Sequence, residues 1–356
     1  MMPIAKLTSS KITWVFVLLI FLLCGCIEEI DFEVPSEFQN TTIILGKIIK
    51  GNPSTIEVTV QKLFDFTFTG ESFINAKEVF LINQNGEKIE IPLKRQGNYK
   101  LQIDDTFDFE INIGSFYGLE VTLLDGQSFK SDLAELIPVP RIERVEQRLV
   151  DKEIINAENQ IVVKPRVEYR VTTPLIAEEN NKRTNIKWDF ERIYKQSETD
   201  FKKSCYVSGF ADADLIQLYS IKGNINPSLN NHLILEQVVS NIMVEGQYVT
   251  IIQESLDDNA LTFWEQAKEL STNSGTFYES PPGQIFSNFK TTSSTEGGVF
   301  GYFYATQHDT MRLFIDSTFI NLSQRICPRK RPPCADCCEC TLLENSTTDK
   351  PSYWTM

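Results

Sequence analysis

The chain of 356 residues carries 34 Lys+Arg against 48 Asp+Glu, a formal net charge of −14, and 42% of its residues are apolar. That apolar content can bury one or two cores and excludes a wholly disordered chain. The acidic balance disfavours nucleic acid, whose phosphates draw affinity from basic patches, and the two histidines, His232 and His308, leave little material for imidazole catalysis or a multi-histidine metal site.

Residues 1–25 read as an export signal. Lys6 and Lys11 supply a positive start, and residues 12–23 form a short apolar run. As a helix this run rises only about 18 Å, short of the roughly 30 Å hydrocarbon layer, so it reads as a signal-peptide core and not as a membrane span. The following Leu23-Cys24-Gly25-Cys26 resembles the bacterial lipobox, with Cys24 where Ala or Ser is usual. The resemblance implies that Cys26 is the lipidation site, becoming an acylated N-terminus whose palmitate-type chains anchor the protein. The alternative is a secreted protein cleaved nearby and left without an anchor. Glu28, Glu29 and Asp31 resemble the surface-export signal of Bacteroidota lipoproteins; their plainer reading is a solvated tether, expected over residues 26–41. Loss of Lys6 and Lys11 makes the mature chain more acidic still, so the anchor and not charge would hold it to an anionic envelope.

Residues 42–135 alternate short strand-like segments with turns. Residues 42–45, 55–60 and 78–82 are rich in β-branched and aromatic residues with polar interruptions. Gln84-Asn85-Gly86-Glu87, between strand-like residues 79–82 and 88–91, predicts a hairpin with a type I′ turn, because Asn-Gly tolerates the positive φ angles required. Gly97-Asn98-Tyr99, Tyr117-Gly118 and Asp125-Gly126 continue the rhythm, which predicts an immunoglobulin-like β-sandwich.

Pro138 and Pro140 break the pattern and predict an extended connector, with a domain boundary at 136. Residues 160–163, 166–171, 185–191 and 248–252 again read as strands, and 224–231, with one proline and four asparagines, as a loop. Ala260, Phe263, Trp264, Ala267 and Leu270 recur at helical spacing, with Ser255 and Asp258 placed to cap the start and Asn273 and Gly275 to close the helix. Residues 299–304 and 311–315 flank Gln307-His308-Asp309, a predicted hairpin. The fold class is therefore mainly β: the N-terminal sandwich, a second and larger β-rich domain over 136–326 with one short helix, and a cysteine-rich C-terminal segment over 327–356.

Apart from Cys24 and Cys26, the cysteines are Cys205, Cys327, Cys334, Cys337, Cys338 and Cys340. An even remainder in an exported chain favours disulfides, and six cysteines allow fifteen pairings. Cys205, far from the others in sequence, is placed to tie the C-terminal segment to the second domain. The rival is zinc: Cys334-x2-Cys337 and Cys338-x-Cys340 offer four thiolates, although zinc sites usually separate their two pairs by a longer loop.

No nucleophile elbow, phosphate-binding glycine loop, zinc-protease helix motif or EF-hand occurs. His308 and Asp309 adjoin on a strand and so point to opposite faces; they read as polar turn groups and not as a catalytic couple. Asp212/Asp214 and Asp257/Asp258 have the chemistry of calcium ligands or paired glycosidase acids, but neither pair has a surrounding ligand set, and Asp257/Asp258 suits the negative charge favoured at a helix start. Catalytic, cofactor-binding and metal residues are therefore not assigned. Phe64, Phe66 and Phe68 share one strand face beside Phe73; they are either core or an exposed contact patch, and Trp188 and Tyr302 carry the same two readings.

In combination, Asp258-Asn-Ala-Leu-Thr-Phe-Trp264-Glu-Gln, Gly275-Thr-Phe-Tyr-Glu-Ser-Pro281-Pro282, Ser287-Asn288-Phe289, Gly301-Tyr302-Phe303, Cys337-Cys338-Glu-Cys340-Thr341 and Lys350-Pro351-Ser-Tyr353-Trp354 resemble the Bacteroidota outer-membrane lipoproteins grouped under domain of unknown function 4249. The likeness spans nearly the whole mature chain. It departs at Ser287, where the family usually has Gly, and in the extra cysteines Cys327 and Cys334. It implies a lipid-anchored protein of the outer membrane, at the cell surface, encoded beside TonB-dependent receptors of the SusC type. Such a protein would be a non-enzymatic accessory that captures a small-molecule, peptide or glycan ligand; no catalytic residues are established for the family. The alternatives are an envelope structural or adhesion module, and a secreted hydrolase.

Overall fold

The computed structural model describes residues 41–63, 72–156, 158–200, 202–212, 215–272, 285–293, 298–327 and 337–355. Cys26, Cys334, Phe64, Phe66, Phe68, Asp214, Asn273 and Gly275 lie outside the described residues, as do the signal and tether segments.

The first stretch contributes β1 (Thr42–Lys50), β2 (Ser54–Lys62), β3 (Ala76–Asn83), β4 (Lys88–Glu90), β5 (Leu93–Arg95), β6 (Asn98–Ile103), β7 (Phe116–Leu123), β8 (Ser128–Ser131) and β9 (Ala134–Glu135). Strict alternation drives these strands: in β2, Ile56, Val58 and Val60 are buried while Thr55, Glu57 and Thr59 point the other way, as a two-residue side-chain period demands. The β3–β4 hairpin forms where the sequence places it, but with a different turn. Asn83 N donates to Glu87 O at 3.1 Å and Gly86 N to Asn83 O at 3.0 Å, and positive φ falls on Gly86 (85°) and not on Asn85. The Asn83 carboxamide accepts from the N–H of both Asn85 and Glu87 at 3.0 Å, and so stabilises a three-residue loop over the two-residue type I′ alternative. Leu124-Asp125-Gly126 makes a second three-residue loop, with Gly126 at φ 90° and, from within the loop, Asp125 Oδ1 accepting from Gln127 N at 3.0 Å.

The remainder adds β10 (Arg144–Ile155), β11 (Ile161–Pro174), β12 (Asn185–Ser197), β13 (Ser204–Phe210), β14 (Gln217–Tyr219), β15 (Ser228–Val238), β16 (Gln247–Leu256), helix α1 (Asp258–Thr272), β17 (Phe289–Thr291), β18 (Val299–Ile315), the one-turn helix α2 (Ser317–Ile320) and β19 (Ser346–Thr347). β15 claims residues 228–231 from the predicted loop; Asn231 enters the strand at φ 54°, beside a register shift against β11, so the asparagine makes a bulge and not a loop. The α1 cap is Asp257, whose Oδ1 accepts from Ala260 N at 2.6 Å. The predicted cap, Ser255, lies inside β16 and is fully buried.

The hairpin expected at 307–309 is absent, and β18 runs unbroken for 17 residues. Its first part pairs in parallel with β1, from Thr42 opposite Val299 to Lys50 opposite Gln307. Its second part pairs antiparallel with β16, from Glu254 opposite His308 to Gln247 opposite Ile315. The polar triplet needs no turn because neighbouring chain satisfies it: Gln307 Oε1 accepts from Val139 N (3.1 Å), Asp309 Oδ2 from Ile142 N (2.6 Å), and His308 faces Glu254. β18 thereby unites both stretches in one ten-stranded sheet, ordered β19-β13-β12-β16-β18-β1-β2-β6-β5 with β14 beside β12.

Two smaller sheets cover one face of this large sheet. The six-stranded sheet β17-β8-β7-β3-β4, with β9 on β7, buries Leu81, Leu119, Val121 and Phe129 against Ile44, Ile56, Val58 and Phe303. The three-stranded sheet β10-β11-β15 buries Val167, Tyr169, Val171 and Leu235 against Trp188, Phe190, Val249 and Ile251. Between them runs the proline connector, whose Pro138, Val139 and Pro140 are buried. Large-sheet side chains pair its backbone: Ser255 Oγ donates to Ile137 O at 2.7 Å and Gln253 Nε2 to Pro140 O at 2.7 Å, as buried peptide groups require. Trp188 and Tyr302 are buried, at 0% and 3% exposure, which removes them as contact-patch candidates, and Phe73 is half-buried beside Gln61.

The C-terminal segment is bound by Cys205–Cys340, closing a sequence separation of 135, and by Cys327–Cys337, with a separation of 10. Cys338 is exposed and carries a free thiol. β19 pairs with β13, and Trp354, 3% exposed, packs its ring 4.9 Å from Tyr206 and 5.1 Å from Tyr248. Loop-closure entropy assigns about 5 kcal/mol to the longer bridge and about 3 kcal/mol to the shorter one. The Cys205→Ala/Cys340→Ala variant is therefore expected to lose more stability in urea than Cys327→Ala/Cys337→Ala; equal losses would contradict the chain-entropy account.

Candidate functional site

The face of the ten-stranded sheet turned away from the two smaller sheets carries a row of charge. Lys187 on β12 lies opposite Glu254 on β16, and Glu254 opposite His308 on β18. Two repeats of the pleat earlier on β18, Tyr304 faces Lys47 of β1, Lys47 faces Glu57 of β2, and Glu57 faces Lys100 of β6. Residues opposite one another in paired strands share a face, so register alone assembles the row.

Glu254 is its centre and is fully buried. Its Oε1 accepts from Lys47 Nζ at 2.9 Å and lies 2.6 Å from His308 Nε2; its Oε2 accepts from the Tyr304 hydroxyl at 2.9 Å and from Lys187 Nζ at 3.3 Å. Lys187 also pairs with Asp189 and lies 4.7 Å from the centre of the Trp264 ring. At the far end Lys100 Nζ meets Glu57 Oε1 at 2.7 Å. Helix α1 walls one side, with Phe263 stacked on Tyr302 (4.9 Å, 19°) and Trp264 edge-on to Tyr304 at 6.3 Å. The C-terminal tail walls the other, with Tyr353 and Trp354 against Tyr248 and Arg312 over the Tyr353 ring at 4.5 Å.

Burial works against the charge on Glu254, but Lys187, Lys47 and the hydrogen bond with His308 outweigh it and hold the carboxyl well below its ordinary 4.5. For Lys47, too, burial opposes the charge, and Glu254, Asp189 and Glu57 overcome it and raise the ammonium above 10.5. Tyr304 is pushed well above 10.0, first by burial and then by the charge of Glu254. A carboxylate offers about four acceptor directions, and here four groups occupy them. Glu254 is thus a strut joining β12, β16, β18 and β1, its two oxygens engaged by Lys47, Lys187, Tyr304 and His308.

None of Lys47, Lys187, Glu254 and Tyr304 was singled out by the sequence reading, and His308, read as a turn residue, belongs to the cluster. The available signal was a lysine inside an apolar strand: Lys47 in Leu45-Gly-Lys-Ile-Ile, and Lys187 between Ile186 and Trp188. Of the two carboxylate pairs, Asp257 and Asp258 serve as local structural groups, and Asp214 of the other pair lies outside the described residues. Asp257 caps α1, its carboxyl raised by burial, Asp258 Oδ1 accepts from Asn185 Nδ2 at 3.0 Å, and Asp212 is exposed. Of the four thiolates of the zinc alternative, Cys337 and Cys340 are taken by disulfides to Cys327 and Cys205.

Glu254→Ala takes from Lys47 its ion-pair carboxylate and leaves Lys187 with Asp189 alone, and is expected to cost about 3–5 kcal/mol, the range for breaking a buried pair, read from urea unfolding; a loss below about 1 kcal/mol would refute the strut. The pH dependence carries a definite sign. The folded carboxyl sits below its unfolded value, so its contribution is complete above about pH 4.5 and is lost as pH falls through the folded pKa. The raised Lys47 contributes below 10.5 and fades as pH rises past its folded value. Glu254→Gln is expected to flatten the acid limb of the stability–pH curve.

No curated protein matches the chain. The model of the family described as "Domain of unknown function (DUF4249)" matches residues 27–312, which take in every member of the Glu254 cluster, and the chain belongs to that family.

Proposed function

We propose that the protein is a lipoprotein of the Bacteroidota outer membrane, anchored through acyl chains on Cys26 at the cell surface, which acts as a non-enzymatic ligand-capture partner of a TonB-dependent, SusC-type transporter. The observation that carries this reading is the short apolar run ending in Leu23-Cys24-Gly25-Cys26. The fully buried bridges Cys205–Cys340 and Cys327–Cys337 support it, since such bonds persist in oxidising compartments outside the cytosol. The contacts on Glu254 assign that carboxylate to the framework, and the accessory role is what the resemblance to the DUF4249 lipoproteins implies.

One feature favours a second reading, an envelope structural or adhesion module. The tip of the β10–β11 hairpin leaves Ile155, Ile161 and Val163 at 60–71% exposure, all on one face of the pair, and neighbouring exposed aliphatics mark contact surfaces.

Cys26→Ser is expected to abolish palmitate labelling and detergent-phase partitioning in the native host; retention of both would overturn the anchor. Affinity purification of the wild-type protein in mild detergent is expected to recover a TonB-dependent barrel in stoichiometric amount. Recovery of the protein with no barrel would favour the structural module.

A further inference from the structure

The loops at one end of the N-terminal sandwich line a half-open cavity of about 330 Å³ between the β1–β2 turn and the β6–β7 loop, within the roughly 300–1,000 Å³ range of small-ligand sites. Its walls are fixed before any ligand arrives. Lys50 Nζ donates to Ile111 O at 2.5 Å. The buried Tyr117 hydroxyl accepts from Asn112 N at 2.7 Å and donates to Glu110 O at 3.0 Å. Asp104 Oδ1 accepts from Thr106 N at 3.0 Å and from its hydroxyl at 2.5 Å. A wall held this way spares the ordering cost of binding.

The chemistry of the lining is one-sided. Asp104, Asp105 and Glu110 bring three carboxylates against one cation among the lining residues, Lys50, whose ammonium donates to the Ile111 carbonyl, so the lining keeps a surplus of negative charge. Phe107 lines the cavity with 38% of its surface exposed while Phe109 beside it is buried, so an open aromatic ring stands next to surplus acceptors. Asp105 is exposed and has no hydrogen-bond or ion-pair partner among the described residues. An anion would meet net negative charge here, and a neutral hydroxylated ligand would leave that charge uncompensated. An ammonium group answers both parts of the lining: three donors for carboxylates and a positive charge for the face of an aromatic ring. The net charge of −14 adds a long-range attraction for cations.

We infer that this cavity is a binding site for a small organic ammonium, a primary amine or diamine, held between Asp105 and the ring of Phe107. The assignment names a cargo class for the ligand-capture reading above and rests on it for its biological sense, but it is measured on the purified protein alone, without a transporter, so either can fail without the other.

The test is a titration of the full chain in mild detergent with 1,5-diaminopentane, followed by calorimetry and by chemical shifts. Saturable binding at one site is expected. At least tenfold weakening is expected in Asp105→Asn and in Phe107→Ala, both exposed positions whose folding is checked by thermal unfolding, with no change in the remote acid variant Glu158→Gln. The uncharged 1,5-pentanediol is expected not to bind. Absence of saturation to 10 mM diamine, equal binding of the diol, unaltered binding in both cavity variants, or equal weakening in Glu158→Gln would each overturn the site.

Discussion

A single buried carboxylate fixes how the halves of this protein meet. Glu254 takes hydrogen bonds or ionic contacts from β12, β18 and β1 while itself standing on β16, so four neighbouring strands of the large sheet are locked in one register around it. Slippage by one residue would turn every side chain of a strand to the opposite face. Lys47, Lys187 and Tyr304 would then enter the apolar layer beneath the smaller sheets, and Glu254 would face hydrocarbon without a counter-charge. The ionic cluster thus costs desolvation but makes the wrong pairings far more costly.

The opposite face of the same strands solves a second problem. Gln253 and Ser255, the neighbours of Glu254 along β16, point to the other side and hold the carbonyls of Pro140 and Ile137. A proline-rich connector would ordinarily run across the surface. Here it is buried between two cores because the sheet supplies the hydrogen-bond donors that water would otherwise provide. Alternation along one strand therefore places an ion cluster and a linker clamp back to back, and the apolar packing of both sandwiches depends on the same few residues.

Much of the architecture was legible in the residues. Alternation in 55–60 and 166–171 marked strands, Asn85-Gly86 and Asp125-Gly126 marked hairpins, and the spacing of Ala260, Phe263 and Trp264 marked the helix. What escaped were facts of long range. Gln307-His308-Asp309 looks like a turn because three polar residues interrupt apolar ones; only the partners of those side chains, Val139, Glu254 and Ile142, make a straight strand satisfactory there. The Asn83 side chain widened a turn that the Asn-Gly pair alone would make tighter. The Glu254 cluster was invisible for the same reason: Lys47, Lys187, Glu254 and Tyr304 lie far apart in sequence, and strand register, which no local pattern encodes, brings them together. The disulfide between Cys205 and Cys340 was open among fifteen pairings until β19 lay beside β13.

The parallel pairing of β1 with β18 bears on how the chain is made. Thr42 finds its partner in Val299, so β1, the first of the described strands to emerge from a ribosome or a secretion channel, stands with one edge open until nearly the whole polypeptide has followed. Such non-local closure folds slowly. During that interval β1 presents free backbone groups of the kind that invite pairing with other chains, and its lysines at 47 and 50 are the local charges that discourage it. The residue that later serves the ion cluster thus also acts as a guard on a nascent edge.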